Sequence, residues 1–303
     1  MSVISDPLDA LPPAAVAAGL AEPQRGVVRA FFRRKAAVTA LVVLAIIVLA
    51  AILAPVLAPD GPTTQDFGAQ LAPPAWDGGT WSHVLGTDEL GRDTLSRLMY
   101  GARDVLALSF LAATITAVIG TLLGVLAGMI ERGVGWVVNW LCDSQLAFPF
   151  VVLALVVITV QGDSFGTLLF VLSIFGWVQY ARVVRAEVLR LKRTDYVLAA
   201  RGSGSSTATI IRQHILPNVS SQVLVLWTFS IAQVLLLESS LSFLGLGIQP
   251  PTADWGQMFA SGRAYLLEDW WYCFFPGLAI TITILCAYLI GRALRDVLNP
   301  RLR

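Results

Sequence analysis

Lysine is almost absent from this chain: Lys35 and Lys192 are the only two in 303 residues. Neither follows a glycine. The Gly-Lys-Ser/Thr end of a P-loop, whose lysine must reach a nucleotide's phosphates, is therefore excluded. Histidine is as scarce. His83 and His214 are the whole complement, and with only these two, on opposite faces in the topology below, a His-based hydrolase is not expected. Cys142, Cys273 and Cys286 are too few for a disulfide framework and lack metal-ligand spacing. They read as small buried hydrophobes. Charged residues of both signs make up 14% of the chain, against about 25% in a soluble domain.

Apolar residues fill the gap. They reach 56% of the chain, with a mean hydropathy of +0.72. Several uncharged runs approach or exceed the ~20 residues that span a bilayer. The expected fold is an all-α polytopic membrane protein with six transmembrane helices, its apolar surface in membrane lipid. No nucleic-acid partner is expected.

The basic residues set the expected orientation, because short cytosolic loops concentrate Lys and Arg. Residues 1–35 read as a cytosolic tail ending in the cluster Arg25, Arg29, Arg33, Arg34 and Lys35. Residues 36–59 form the first crossing and 60–104 an extracytoplasmic loop. Within that loop, Leu90, Leu95, Leu98 and Met99 predict an amphipathic helix on the membrane surface. Residues 105–297 supply five more helices, and 298–303 a cytosolic tail. In this arrangement 17 of the 21 basic residues, but only 8 of the 20 acidic ones, lie inside. Both histidines cannot share a metal site, since they fall on opposite sides. Trp270, Trp271 and Tyr272 are expected in an interfacial aromatic belt.

Three features inside the apolar runs stand out. Gly120, Gly124 and Gly128 recur every four residues, which predicts close helix packing. Pro149 should kink or break its helix. Ser239 to Gly256 is apolar but interrupted by glycine and proline, so it is a partly inserted loop or a kinked helix end. Asp143 and Glu238 are the ionisable groups within or beside the spans. They are candidates for pathway or gating roles together with Pro149. The bland alternative places both near helix ends, hydrated or paired, Asp143 with Arg132 or Arg185.

The most basic internal stretch is 182–217, with Arg182, Arg185, Arg190, Lys192, Arg193, Arg201 and Arg212 against Glu187 and Asp195. Its spacing predicts a short helix over 196–201 and a glycine bend at 202–204. A second helix is expected over 207–215, capped by Ser205 or Ser206. Pro217 suits the first turn of the next span.

This stretch resembles the cytoplasmic "EAA" loop of ABC importer permeases. Ala199, Ala200, Gly204, Leu216 and Pro217 match that motif. Leu198 stands where a glutamate is usual, which removes one polar contact, and His214 stands where a branched aliphatic is common. Three further phrases, Gly86 to Asp104, Ser239 to Gly256 and the ending RDVLNPRLR, are similar to C-type permeases of dipeptide and oligopeptide importers. The resemblance covers nearly the whole chain from Arg25. It implies a type I importer permease fold, non-catalytic and resident in a bacterial inner membrane with both termini cytosolic. It implies that Tyr196, Ala199, Ala200, Arg201, Gly204, His214, Leu216 and Pro217 form a coupling loop. It also implies a second homologous permease, two ATPase subunits that bind ATP and Mg, and an extracytoplasmic binding protein delivering peptide. No cofactor or metal is expected in this chain. Permeases for nickel or another small solute share these signatures. A different class, the ion-coupled secondary transporter, would want ionisable groups at the midplane beside a broken helix.

Overall fold

The structure, a computed structural model, describes residues 29–298. Most of the expected N-terminal tail, and residues 299–303 with Arg301 and Arg303, lie outside the described residues. Ten α-helices organise the chain from Lys35 to Leu298. They are α1 (Lys35–Leu57), α2 (Thr94–Met129), α3 (Val134–Leu146), α4 (Phe150–Gln161), α5 (Phe165–Leu191), α6 (Asp195–Gly202), α7 (Thr207–Ile210), α8 (Leu216–Phe243), α9 (Trp255–Gly262) and α10 (Trp270–Leu298). Five spans are long and apolar enough to cross a membrane: α1, α2, α5, α10 and the run of α7 into α8. The pair α3 and α4 makes a sixth if counted as one span, bent by 87°. The bend falls at Phe148 and Pro149, where the proline has no amide hydrogen to continue the ladder.

Apolar side chains cover the outside of the bundle. Ile46 and Ile52 on α1 are about 60% exposed, as expected for helices whose solvent is hydrocarbon. Inside, α2 and α5 make the most extensive contact in the fold. The glycine stripe is its cause. A β-carbon on Gly120 would meet the Trp177 carbonyl oxygen at 2.4 Å, and one on Gly124 the Ala181 carbonyl at 2.8 Å. The stripe therefore packs within this chain and is not an unfilled surface awaiting another subunit. Gln145 fastens α3 to α5. Its Nε2 donates to the Ile174 carbonyl at 2.9 Å and its Oε1 accepts from Trp177 Nε1 at 2.8 Å.

Residues 86–104 differ from expectation. The separate surface helix is replaced by a tight turn, over residues 86–93, that feeds directly into α2, so Leu90 lies outside any helix. Arg92, Asp93, Ser96 and Arg97 are buried, not solvent-facing. The reason is mutual neutralisation. Arg92 Nε donates to Asp88 Oδ2 at 2.6 Å, and Arg97 Nε lies 3.5 Å from the same oxygen. Asp88 Oδ1 accepts from the amides of Leu90 and Arg92. Asp93 caps α2 by accepting from Ser96 N at 2.7 Å.

The aromatic belt is also revised. Trp271 and Tyr272 are buried, at 5% and 2% exposure, and of the three only Trp270 is exposed, at 37%. Trp271 packs beside Gly86, where a β-carbon would fall 2.9 Å from its ring. The turn before α2 thus claims a side chain expected at the membrane interface.

Candidate functional site

A helical hairpin stands at one end of the bundle, built from α6, α7 and the π-helical turn Ile211–Ile215. Three apolar side chains root it. Val197, Ile210 and Ile215 are buried to 1% exposure or less and pack with Val125, Val184, Val188, Leu191 and Val219. Removing such side chains from water stabilises a contact by roughly 1.5–3 kcal/mol each. The hairpin therefore rests on the same helices, α2, α5 and α8, that build the bundle.

Two local devices shape it. Ser206 caps α7 by accepting from Thr209 N at 3.2 Å. Gly204 closes the bend with φ +80°, a conformation that L side chains resist. Open space surrounds the position where its β-carbon would lie. Backbone conformation alone therefore makes the internal demand for glycine. Lys192, at the end of α5, bonds the Gly128 carbonyl at 3.1 Å and Glu131 at 2.8 Å. That bond holds the Glu131 carboxyl below the usual carboxylate range. It also ties the hairpin's stalk to the end of α2.

What this rooting leaves outside is a continuous set of residues. Tyr196, Leu198, Ala199, Arg201, Gly204, Leu216 and Pro217 are exposed, while Ala200 and His214 are half-buried. The rings of Tyr196 and His214 meet at 5.8 Å between centroids, joining the two arms. Pro217 lies in the first turn of α8. The structure thus brings all eight residues expected in the loop into one protrusion. Leu198 adds an exposed aliphatic, 50% open, where a glutamate would have been polar. The roots Val197, Ile210 and Ile215 were not singled out in the sequence. Their apolar character inside a basic stretch was the available signal.

The other candidates do not join the hairpin. Asp143, on α3, bonds Arg182 of α5 at 2.5 Å, not Arg132 or Arg185. One turn of α5 separates Arg182 from Arg185, and the nearer guanidinium takes the bond. Both partners are open, at 48% and 71% side-chain exposure, so the pair contributes little to stability. Pro149 sits at the break between α3 and α4. Glu238 lies 22 residues along α8 from its start, roughly 33 Å away at 1.5 Å per residue. It stands five residues before the end of α8, as the near-end reading expects, but it is paired and not hydrated, because it is wholly buried. Ser242 Oγ donates to Glu238 Oε1 at 3.0 Å and lies 3.3 Å from Asp254 Oδ2. Asp254 in turn caps α9 through Gln257 N at 2.8 Å. Glu238 therefore belongs to the network that seats the interrupted segment after α8. Among the described residues, no group of three or more His, Cys, Asp or Glu side chains could hold a metal ion.

The arrangement is that of an apolar helical bundle with a rooted helical hairpin exposed at one end. Comparison with known proteins agrees. The family described as "binding-protein-dependent transport system inner membrane component" matches residues 120–303. The "N-terminal TM domain of oligopeptide transport permease C" matches residues 23–74. The chain is 39% identical over 274 residues to the dipeptide transport system permease protein DppC of Escherichia coli (strain K12), covering 90% of this chain and 91% of that one. It is 38% identical over 276 residues to the di/tripeptide transport system permease protein DppC of Pseudomonas aeruginosa (strain UCBPP-PA14), covering 91% of both. The Bacillus subtilis (strain 168) dipeptide permease DppC is 36% identical over 272 residues, 89% of this chain and 83% of that protein. The chain belongs to the binding-protein-dependent transport system inner membrane component family.

Proposed function

We propose that this chain is one permease half of an ATP-driven importer of dipeptides or oligopeptides in a bacterial inner membrane. The hairpin carries the reading. Its apolar roots fix it to α2, α5 and α8, and its exposed face offers Tyr196, Leu198, Arg201 and Gly204 to a separate protein. The similarity to dipeptide permeases over about 90% of the chain supports the cargo. In this reading two ATPase subunits dock on the hairpins of this chain and of a second, homologous permease. They bind ATP and Mg. An extracytoplasmic binding protein delivers peptide to the opposite face. ATP binding shifts the pore between inward- and outward-open states by favouring one of them.

The excess of basic residues on the hairpin side supports placing that side in the cytosol. The test is reconstitution. This chain, its second permease, the ATPases and the binding protein are assembled in vesicles, and labelled dipeptide uptake is followed with and without ATP. ATP-dependent peptide accumulation is expected. Uptake that ignores ATP, or uptake by this chain alone, would sink the reading.

A further inference from the structure

Among the cavities of the bundle, one is walled by α2, the α3–α4 break, α5 and α8. Its volume is about 420 Å³, within the roughly 300–1,000 Å³ of pockets that hold small ligands. Leu146 and Phe150 flank the helix break at its edge. Two glutamines open into it, Gln179 from mid-α5 and Gln233 from α8. Both are exposed, although each lies within an apolar span. A polar side chain at that depth faces a bundle interior or a watered cavity, because lipid penalises it.

The other polar groups of this wall are already engaged. Tyr180 donates to Ser230 at 2.8 Å, Thr116 to the Ala113 carbonyl at 2.8 Å, and Arg182 is held by Asp143. Among the described residues the two glutamine carboxamides have no such partner. Each can donate and accept at once. That is the hydrogen-bonding pattern of a peptide group, one N–H and one C=O.

We propose that Gln179 and Gln233 are the amide-recognising residues of the translocation path. A peptide entering this apolar-walled cavity leaves water behind, and each unpaired backbone group then costs free energy. The carboxamides replace the lost bonds without adding charge, so they ease the passage of peptide groups whatever the side chains. The inference rests on the peptide-importer reading above.

The experiment uses the reconstituted complex with saturating loaded binding protein, so that capture does not limit the rate. Uptake of a dipeptide is compared with that of its ester-for-amide analogue, which lacks the N–H. The variants are Gln179→Leu, Gln233→Leu and the pair. Wild type should favour the amide. The double variant should take up the dipeptide about tenfold more slowly, as expected for losing one or two hydrogen bonds, and should no longer distinguish amide from ester. It should still copurify with the second permease. Wild-type uptake in the double variant, or a retained amide preference, would overturn the inference and leave the functional reading intact. Loss of the second permease from the double variant would reassign both glutamines to the subunit interface. Absence of peptide uptake by the wild-type complex would overturn the functional reading and this inference together.

Discussion

Gly128 and Val188 face each other across the α2–α5 seam so closely that a β-carbon on the glycine would lie 2.6 Å from the valine Cβ. Gly120 is tighter still, because backbone blocks it, the Trp177 carbonyl oxygen at 2.4 Å. Backbone cannot rotate away as a side chain can. Gly120→Ala should therefore destabilise the protein by about 1–3 kcal/mol, the usual cost of overpacking. Gly166→Ala is the control, since the nearest atom to its β-carbon would be Ser164 Oγ at 3.8 Å. Thermal unfolding of the purified complex should show a lowered midpoint for the first and none for the second.

Gly204 separates internal strain from contact with a partner. Asp tolerates positive φ better than most residues, and beyond its chain neighbours no atom lies within 4 Å of the place its β-carbon would take. Gly204→Asp should reach the membrane at normal abundance yet abolish peptide uptake. The ATPases should dissociate or hydrolyse ATP without responding to loaded binding protein. Arg193→Ala, on the exposed stalk before the hairpin, should change uptake less than twofold, as surface substitutions do. Normal uptake and stimulation in Gly204→Asp would remove the hairpin from the coupling route.

The root of the hairpin offers a graded version of the same test. Val197 is wholly buried in the cluster that α2, α5 and α8 share with the hairpin. Val197→Ala should loosen the hairpin by about 1–3 kcal/mol without touching its exposed face. Substrate-stimulated ATP hydrolysis should fall while basal assembly persists. Unchanged stimulation would mean that the hairpin's rigidity is irrelevant to signalling.

Orientation is testable by labelling. Cys142, Cys273 and Cys286 are all buried, so their replacement by small apolar residues is a tractable background. A cysteine at Thr80 should react with an impermeant reagent added outside the cell, and one at Ser205 should not. The reverse pattern would put the hairpin on the wrong side for ATP.

Glu238 is expected to matter for folding. Gln at this position can still accept from Ser242 and offers its amide hydrogens to Asp254. Glu238→Gln should hold the segment after α8 in place, whereas Glu238→Ala leaves a hole and an unanswered Ser242 hydroxyl at a cost of about 2 kcal/mol or more. Proteolysis of the 244–254 loop reports the difference. Equal resistance in both variants would argue against the network.

Much of this architecture was readable from local signals. Apolar runs marked the spans, Pro149 the break, and Ser206, Gly204 and Pro217 the punctuation of the hairpin. Those are short-range effects, carried by hydrogen bonds and dihedrals within a few residues. The misreadings involve partners that periodicity does not reveal, some of them only a turn away and others far along the chain. The amphipathic reading of 86–104 left Arg92 and Arg97 off the apolar side, and nothing in that pattern says that one carboxylate, Asp88, receives both. Asp143 finds Arg182 across 39 residues, and Asp254 meets the Glu238–Ser242 pair only after the chain has turned back. Gln179 and Gln233 lie on different helices, and only the fold puts them in one cavity.

The continuity of α5 has a mechanical meaning. One unbroken helix carries Gln179 at its middle and hands the chain to α6 soon after Leu191, about 18 Å further along at 1.5 Å per residue. It is a stiff rod with the glutamine-lined cavity at its middle and the hairpin beyond its end. Tilting it by about 10° would swing the tip by roughly 3 Å over that length. The glycine seam obliges α2 to travel with it, so a push on the hairpin arrives at the cavity as rotation of two helices acting as a single beam.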